Sequence, residues 1–256
     1  MTRPFDPDDD PAQAGATNAA KNLNEGDLFH EDPANFIANP VSPRDAATLI
    51  LYRLDDDRPR ILMGCRASGH DFMPDKYVFP GGRVDDEDAT APAMSELAPE
   101  VAQQLRYQSE RHPRIYPLTA IREMFEETGL IVGNRSPPLL ATPPAWAGYY
   151  GQGAAPSLAG FSFVGRAVTP PMRHKRFDAR FFMADAAQSL IDDRPPADSR
   201  ELADLRWFTL AEAAELDLPN ITRYVISEVE AQLIKRQKLR PFFLRWSEQG
   251  HVSERI

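Results

Sequence analysis

The sequence predicts an α/β fold in which helices cover both sides of a mixed β-sheet. Three observations carry that expectation. Apolar runs of β type and stretches of helical periodicity follow one another in the order β, β, β, α, β, then further strands and a long helix. At 256 residues, 42% of them hydrophobic, the chain can bury the core of one large domain or two small ones. No internal repeat interrupts that order.

Residues 1–43 are rich in Asp, Ala, Asn and Pro without sustained apolar periodicity, so they are expected to form a disordered or loosely docked acidic leader, with the folded domain over 44–256. "AATLILYRL" and "RILMGCRA" are β-type runs on either side of the turn-like "DDDRP", which predicts an antiparallel pair. "KYVF" makes a third strand, and "PGG" is read as ending it. Between Gly82 and Arg122, the residues Met94, Leu97, Val101 and Leu105 recur at helical spacing and Pro99 suits a first turn, which predicts one or two short helices. A helix over 118–128 follows, closed by Gly129 as its C-terminal cap. Further strands are expected at "LIVG", "GFSFVGRAV", "RFDARFFMA" and "ADLRWFTL", and helices at "LAEAAEL" and "NITRYVISEVEAQLIKRQK". The last carries Ile221, Val225, Ile226, Val229 and Leu233 along one side.

Composition narrows the function. The net charge is −9, and the first 32 residues hold eight acids against Arg3 and Lys21. The remaining body offers no broad basic surface to a nucleic-acid backbone, which is gripped mainly through Lys and Arg. No run approaches the roughly 18 to 20 apolar residues of a membrane span, and the first residues lack the cationic and apolar regions of a secretory signal. A cytoplasmic protein with neither nucleic-acid nor membrane partners is therefore expected. Cys65 is the only cysteine and belongs to no zinc-type cluster, in keeping with a reducing compartment; it is read as a small core residue.

The stretch "REMFEETGL", residues 122–130, points to chemistry. On a helix Glu123 and Glu127 are i and i+4, and Glu123 and Glu126 are i and i+3, so three carboxylates share one edge while Ile121, Met124 and Phe125 project elsewhere. Three such charges repel one another, and a solvated face is the bland explanation. Hard divalent cations such as Mg²⁺ or Mn²⁺ require oxygen ligands of this kind, and Arg122 can hold a glutamate rotamer by a charge-assisted hydrogen bond.

With "FPGG" upstream, this stretch resembles the Nudix hydrolase box, G-x5-E-x7-R-E-U-x-E-E-x-G-U with U a bulky aliphatic. Gly82 fits the first glycine, and Arg122, Glu123, Met124, Glu126, Glu127, Gly129 and Leu130 fit the second half. The resemblance implies a Nudix-type α/β/α sandwich and metal-dependent hydrolysis of a nucleoside diphosphate linked to another moiety. It implies Glu123, Glu126 and Glu127 as catalytic ligands of Mg²⁺ or Mn²⁺, the Gly81 carbonyl nearby, and Arg122 as their orienting group. Between Gly82 and Arg122 this chain has 39 residues where the family has 13, which implies an inserted helical segment at about 86–115, before the catalytic helix. Asp88 stands at the offset of the early box glutamate, with Glu87 beside it, and the insertion leaves the choice open. Insertion inside the box is similar to peroxisomal coenzyme A diphosphatases.

Coenzyme A Nudix enzymes often carry L-L-T-x-R-[SA]-x3-R-x3-G-x3-F-P-G-G. Here Arg66, Ala67 and the spacing to Phe79 are kept, while Met63, Asp71 and Asp75 replace Thr, Arg and Gly. The resemblance makes coenzyme A or an acyl derivative one candidate substrate, with nucleotide sugars and dinucleotides as alternatives. A sensor that binds a nucleotide metabolite without cutting it is the non-catalytic alternative; the metal half of the box is intact, and the leader is too short and acidic for a DNA-binding domain. Substrate contacts are expected from Arg66, Phe79 and Gly82, and from Arg176 in the basic stretch "MRHKRFDAR", for which an exposed turn is the competing explanation. Glu201 is a candidate further ligand or base, or else an exposed loop carboxylate. Trp146, Tyr149 and Tyr150 either stack a base or plug the core. A homodimer is left open.

Overall fold

The computed structural model describes residues 40–69, 73–139, 141–247 and 250–256; the expected leader lies outside them except for its last four residues, and so does Asp71. The strands are β1 (Arg44–Asp55), β2 (Arg58–Arg66), β3 (Tyr77–Val78), β4 (Gly81–Arg83), β5 (Asn134–Arg135), β6 (Ala154–Ala155), β7 (Ser162–Val168), β8 (Phe177–Asp185), β9 (Leu202–Thr209), β10 (Phe242–Ser247) and β11 (Gly250–Arg255). The helices are α1 (Pro99–Leu105), α2 (Ile115–Thr128), α3 (Ala147–Tyr150), α4 (Ala186–Ser189), α5 (Leu210–Ala214) and α6 (Asn220–Leu233).

Nine strands form one mixed sheet in the order β11-β10-β7-β8-β1-β2-β3, with β4 on β1 and β9 on β2. The β1–β8 and β7–β10 pairs are parallel. The antiparallel β1–β2 hairpin turns at Asp56 and Asp57, which both take positive φ (50° and 63°), a conformation short polar side chains tolerate comparatively well.

Strand alternation sets up the layers. Along β1, Ala47, Leu49 and Leu51 pack with Leu118, Ile121 and Met124 of α2, while Ile50 packs with Val225 and Val229 of α6. On β8, Phe182 joins the α2 side and Phe181 the α6 side. The result is the expected α/β/α sandwich.

Helix α2 begins at Ile115, three residues earlier than expected, because Pro117 falls in the first turn, where a missing N–H costs nothing. It ends as expected: Gly129 is left-handed (φ 72°), and its N–H donates to the Phe125 carbonyl at 2.8 Å.

Several expectations are corrected. "KYVF" yields only Tyr77–Val78 as β3, which ends before "PGG" as expected, but Gly81–Arg83 then forms β4 on β1, a strand not foreseen. "LIVG" is no strand: Leu130, Ile131 and Val132 are apolar because the connection crosses the core, and only an isolated bridge joins Val132 to Leu190. Met94 lies outside α1 and is 54% exposed, its N–H bound to the Pro156 carbonyl. Helix α6 stops at Leu233, short of Lys238, where Ile234 faces solvent. Cys65 is half-buried on β2. The β10–β11 hairpin was not anticipated.

The segment expected to be an insertion packs onto the sheet and α2. Leu97 and Leu105 are buried in the α2-side core. Arg111 bridges Asp45 and Asp86 at 2.9 Å each, and Arg166 donates to the carbonyls of Tyr107 and Gln108 at 3.0 Å. Among the described residues no helix is long and apolar enough to cross a membrane.

Candidate active site

Helix α2 lies against β1 and β4, and the two glycines of β4 permit the approach. A side chain at Gly82 would meet the Glu123 carboxylate at 2.3–2.5 Å, so Gly82 makes room for that carboxylate. At Gly81 a side chain would strike the β1 backbone, and the Gly81 N–H donates to Glu127 at 2.8 Å. The Gly81 N–H is thus a direct backbone contact to the cluster.

Arg122 organises the centre. Its Nε donates to Asp88 Oδ1 at 2.8 Å, and Nη2 to Asp88 Oδ2 at 3.1 Å and to the Arg83 carbonyl at 2.9 Å. Its Nη1 reaches Glu123 at 2.8 Å and Glu126 at 3.1 Å. Burial opposes the guanidinium charge, but the bond to Asp88 and the charges of Glu123, Asp88 and Glu126 outweigh it and hold its pKa above the ordinary value. Of the two acids at the early box offset, Asp88 is the one that bonds Arg122. Its carboxylate is fully buried and also accepts from Thr119 Oγ1 (2.7 Å), the Asp85 N–H (3.0 Å) and Trp146 Nε1 (2.9 Å). Glu87 instead receives the Ala145 N–H at 2.8 Å.

The three helix carboxylates experience a different field. Burial pushes Glu123 up to about 7, with Arg122 opposing and Glu126 and Glu201 adding to the rise. Burial and the Glu123 charge push Glu127 up to about 8 against the Gly81 N–H and Arg66. Glu126 is half-exposed, and burial raises it despite Arg122. Glu123, Glu126 and Glu127 share a cavity of about 220 Å³ with Ser199, Arg200 and Glu201, so Glu201 joins the cluster across the sheet.

Among the described residues no three Asp, Glu, His or Cys side chains have donors already converged on one point. Glu123 and Glu126 bond Arg122, and Glu127 bonds the Gly81 N–H. The donor chemistry nonetheless fits a hard divalent ion, being all carboxylate oxygen. The raised carboxylate pKa values follow first from burial, to which the neighbouring carboxylates add.

The remaining candidates line a neighbouring groove of about 1520 Å³ that opens onto Glu123, Glu126 and Glu201. Arg66 and Arg176 line it; Arg176 also donates to the carbonyls of Thr169 (3.0 Å) and Val41 (2.8 Å), pinning the turn before β8. Phe79 is 4% exposed and packs in the α6-side core beneath the groove. Trp146, Tyr149 and Tyr150 form a buried ring cluster, as the core-plug reading has it. The Trp146–Asp88 bond was missed, as was Thr119, which stands one turn before Arg122.

An acidic helix held over a Gly-Gly strand within an α/β/α sandwich is the arrangement that the resemblance to the Nudix box implies. The structure is similar to a crystal structure of a Nudix hydrolase from Alicyclobacillus acidocaldarius, with 25% identity over 73% of this chain and 90% of that chain and a TM-score of 0.55. More distant likenesses are the Nudix domain of Shewanella oneidensis NrtR in complex with ADP-ribose (14% identity, 80% and 94% covered, TM-score 0.44) and a C. elegans Ap4A hydrolase (15%, 75% and 98%, 0.42). No protein-family model and no curated protein sequence matches the chain.

Proposed function

We propose that the protein hydrolyses the pyrophosphate bond of a nucleoside diphosphate derivative, with Mg²⁺ or Mn²⁺ held by Glu123, Glu126 and Glu127. The observation that carries this reading is the set of three α2 carboxylates, oriented by Arg122 and Gly81, in a cavity that opens into a substrate-sized groove. The bound ion supplies Lewis-acid polarisation of a phosphoryl oxygen. Arg122 fixes the rotamers of Glu123 and Glu126, and the Gly81 N–H fixes Glu127. Glu201, which lines the same cavity, takes a proton from water as its oxygen attacks one phosphorus in line and the bridging P–O bond breaks, the other phosphate leaving with the bridging oxygen. Coenzyme A or an acyl derivative is the proposed substrate, giving 3′,5′-ADP and 4′-phosphopantetheine or its acyl form; Arg66 in the groove supports it. A cytoplasmic setting belongs to the same proposal.

The test is incubation with Mg²⁺ or Mn²⁺ and a panel of coenzyme A species, nucleotide sugars, dinucleotides and nucleoside triphosphates, with products read by mass spectrometry. One class is expected to be cleaved, and Glu126→Gln to slow it by about 10²- to 10⁴-fold. Metal-dependent binding with no turnover anywhere would replace the enzyme by a sensor.

A further inference from the structure

The groove is charged against the trend of the molecule. The chain carries 38 acidic and 29 basic residues, yet eight of the described residues lining the groove are Lys or Arg and three are acidic. All three acids, Glu123, Glu126 and Glu201, belong to the catalytic end. The groove crosses the sheet from β4 over β1, β8 and β7 to β10, following the observed pairings. Its far wall is the turn between β7 and β8, where Arg173, His174 and Lys175 are exposed, and β10, where Arg245 pairs with Glu254 at 3.1 Å and Trp246 follows. Two to three strand spacings separate that turn from β4, roughly 10–15 Å.

A diphosphate lodged at the acidic end needs counter-charge there. Cations 10–15 Å or so further along cannot serve it, because at physiological salt that separation exceeds the ~8 Å screening length. We infer that Arg173, His174, Lys175 and Arg245 form a second anion subsite, which binds a phosphomonoester carried by the substrate outside its anhydride bond. The inference rests on the hydrolase reading and narrows it to nucleoside diphosphate derivatives bearing an additional phosphate. Apolar groove floor from Val168, Phe177 and Leu244 suits the body of such a ligand between its two charged ends.

The test compares matched pairs that differ only by that phosphate: coenzyme A against 3′-dephospho-coenzyme A, and NADPH against NADH. We expect a preference in kcat/KM of about 10- to 100-fold for the phosphorylated member of at least one pair, and the pair identifies where that phosphate sits. In the exposed-turn variant Arg173→Ala/Lys175→Ala, and independently in Arg245→Ala, the ratio should fall toward one. No preference in the wild type, or a preference that survives both variants, overturns the subsite. Calorimetry with 3′,5′-ADP against AMP reads the subsite without turnover. Hydrolysis of both members at equal rates leaves the hydrolase and removes the subsite. Tighter 3′,5′-ADP binding that is lost in the variants, without hydrolysis of any substrate, leaves the subsite and removes the hydrolase.

Discussion

Asp88 and Glu127 are both buried carboxylates beside α2, at 0% and 4% exposure, and they are served very differently. Asp88 accepts five hydrogen bonds, two of them from a guanidinium. Glu127 has one hydrogen bond, from the Gly81 N–H, and the Arg66 charge, with the Glu123 charge set against them. A buried carboxylate with few partners is costly to ionise, so a fold tuned for stability alone would serve both acids alike. The contrast separates an acid that braces Arg122 from one that the proposed function assigns to the cation.

Replacing Glu127 should break the contrast from the functional side, with the largest effect. Glu127→Gln keeps the shape and the Gly81 bond but removes the charge that the proposed function gives to the metal. Turnover should fall by about 10²- to 10⁴-fold, while melting temperature at pH 8 without added metal stays level or rises. An equal loss of stability would mean that Glu127, like Asp88, is structural.

Asp88→Asn should do the reverse. It strips the buried Arg122 of its principal counter-charge, and removing one partner of a buried pair costs about 3–5 kcal/mol. Denaturant unfolding measures this directly. A loss within about 0.5 kcal/mol would show that Glu123 and Glu126 alone can hold Arg122.

The pH response sharpens the contrast further. Glu123 and Glu127 titrate at about 7 and about 8 in the folded chain, against an ordinary 4.5. The folded state therefore holds protons that the unfolded chain has already released. Their contribution to stability is fully present below about 4.5 and is lost as pH rises through about 7 and about 8. A metal competes for the same deprotonated oxygens, so the thermal shift produced by Mg²⁺ or Mn²⁺ should be small at pH 6 and larger at pH 8.5. A metal shift independent of pH would place the ion on other ligands.

Much of this was legible in the chain because helical spacing is local. Glu123, Glu126, Glu127 and Arg122 fall on one short segment, and Gly129 closes it, so periodicity and capping suffice. The strand pattern of β1, β2, β7, β8 and β9 was legible for the same reason. What failed depended on distant partners. "LIVG" has strand composition, but the core it crosses fills both sides and leaves it no ladder. Trp146 meets Asp88 across 58 residues, and nothing local announces that bond. The β10 run Phe242-Phe243-Leu244 did carry a readable signal, a short continuous apolar segment, and was passed over.

Trp146 gives the smallest and most discriminating change. Its indole N–H is one of five donors to Asp88, and its ring packs on Tyr149 and Tyr150. Trp146→Phe keeps an aromatic filler and deletes only the donor. Four donors remain on Asp88, so the expected loss is that of one hydrogen bond to a charged group, about 1.5–3 kcal/mol, with Arg122 still in place. Turnover should therefore change by less than about tenfold, since Glu123 and Glu126 keep their orienting guanidinium. If turnover falls as far as in Glu127→Gln while the fold survives, the bond from Trp146 governs where Arg122 points. The division between building acid and working acid would then extend through the guanidinium itself.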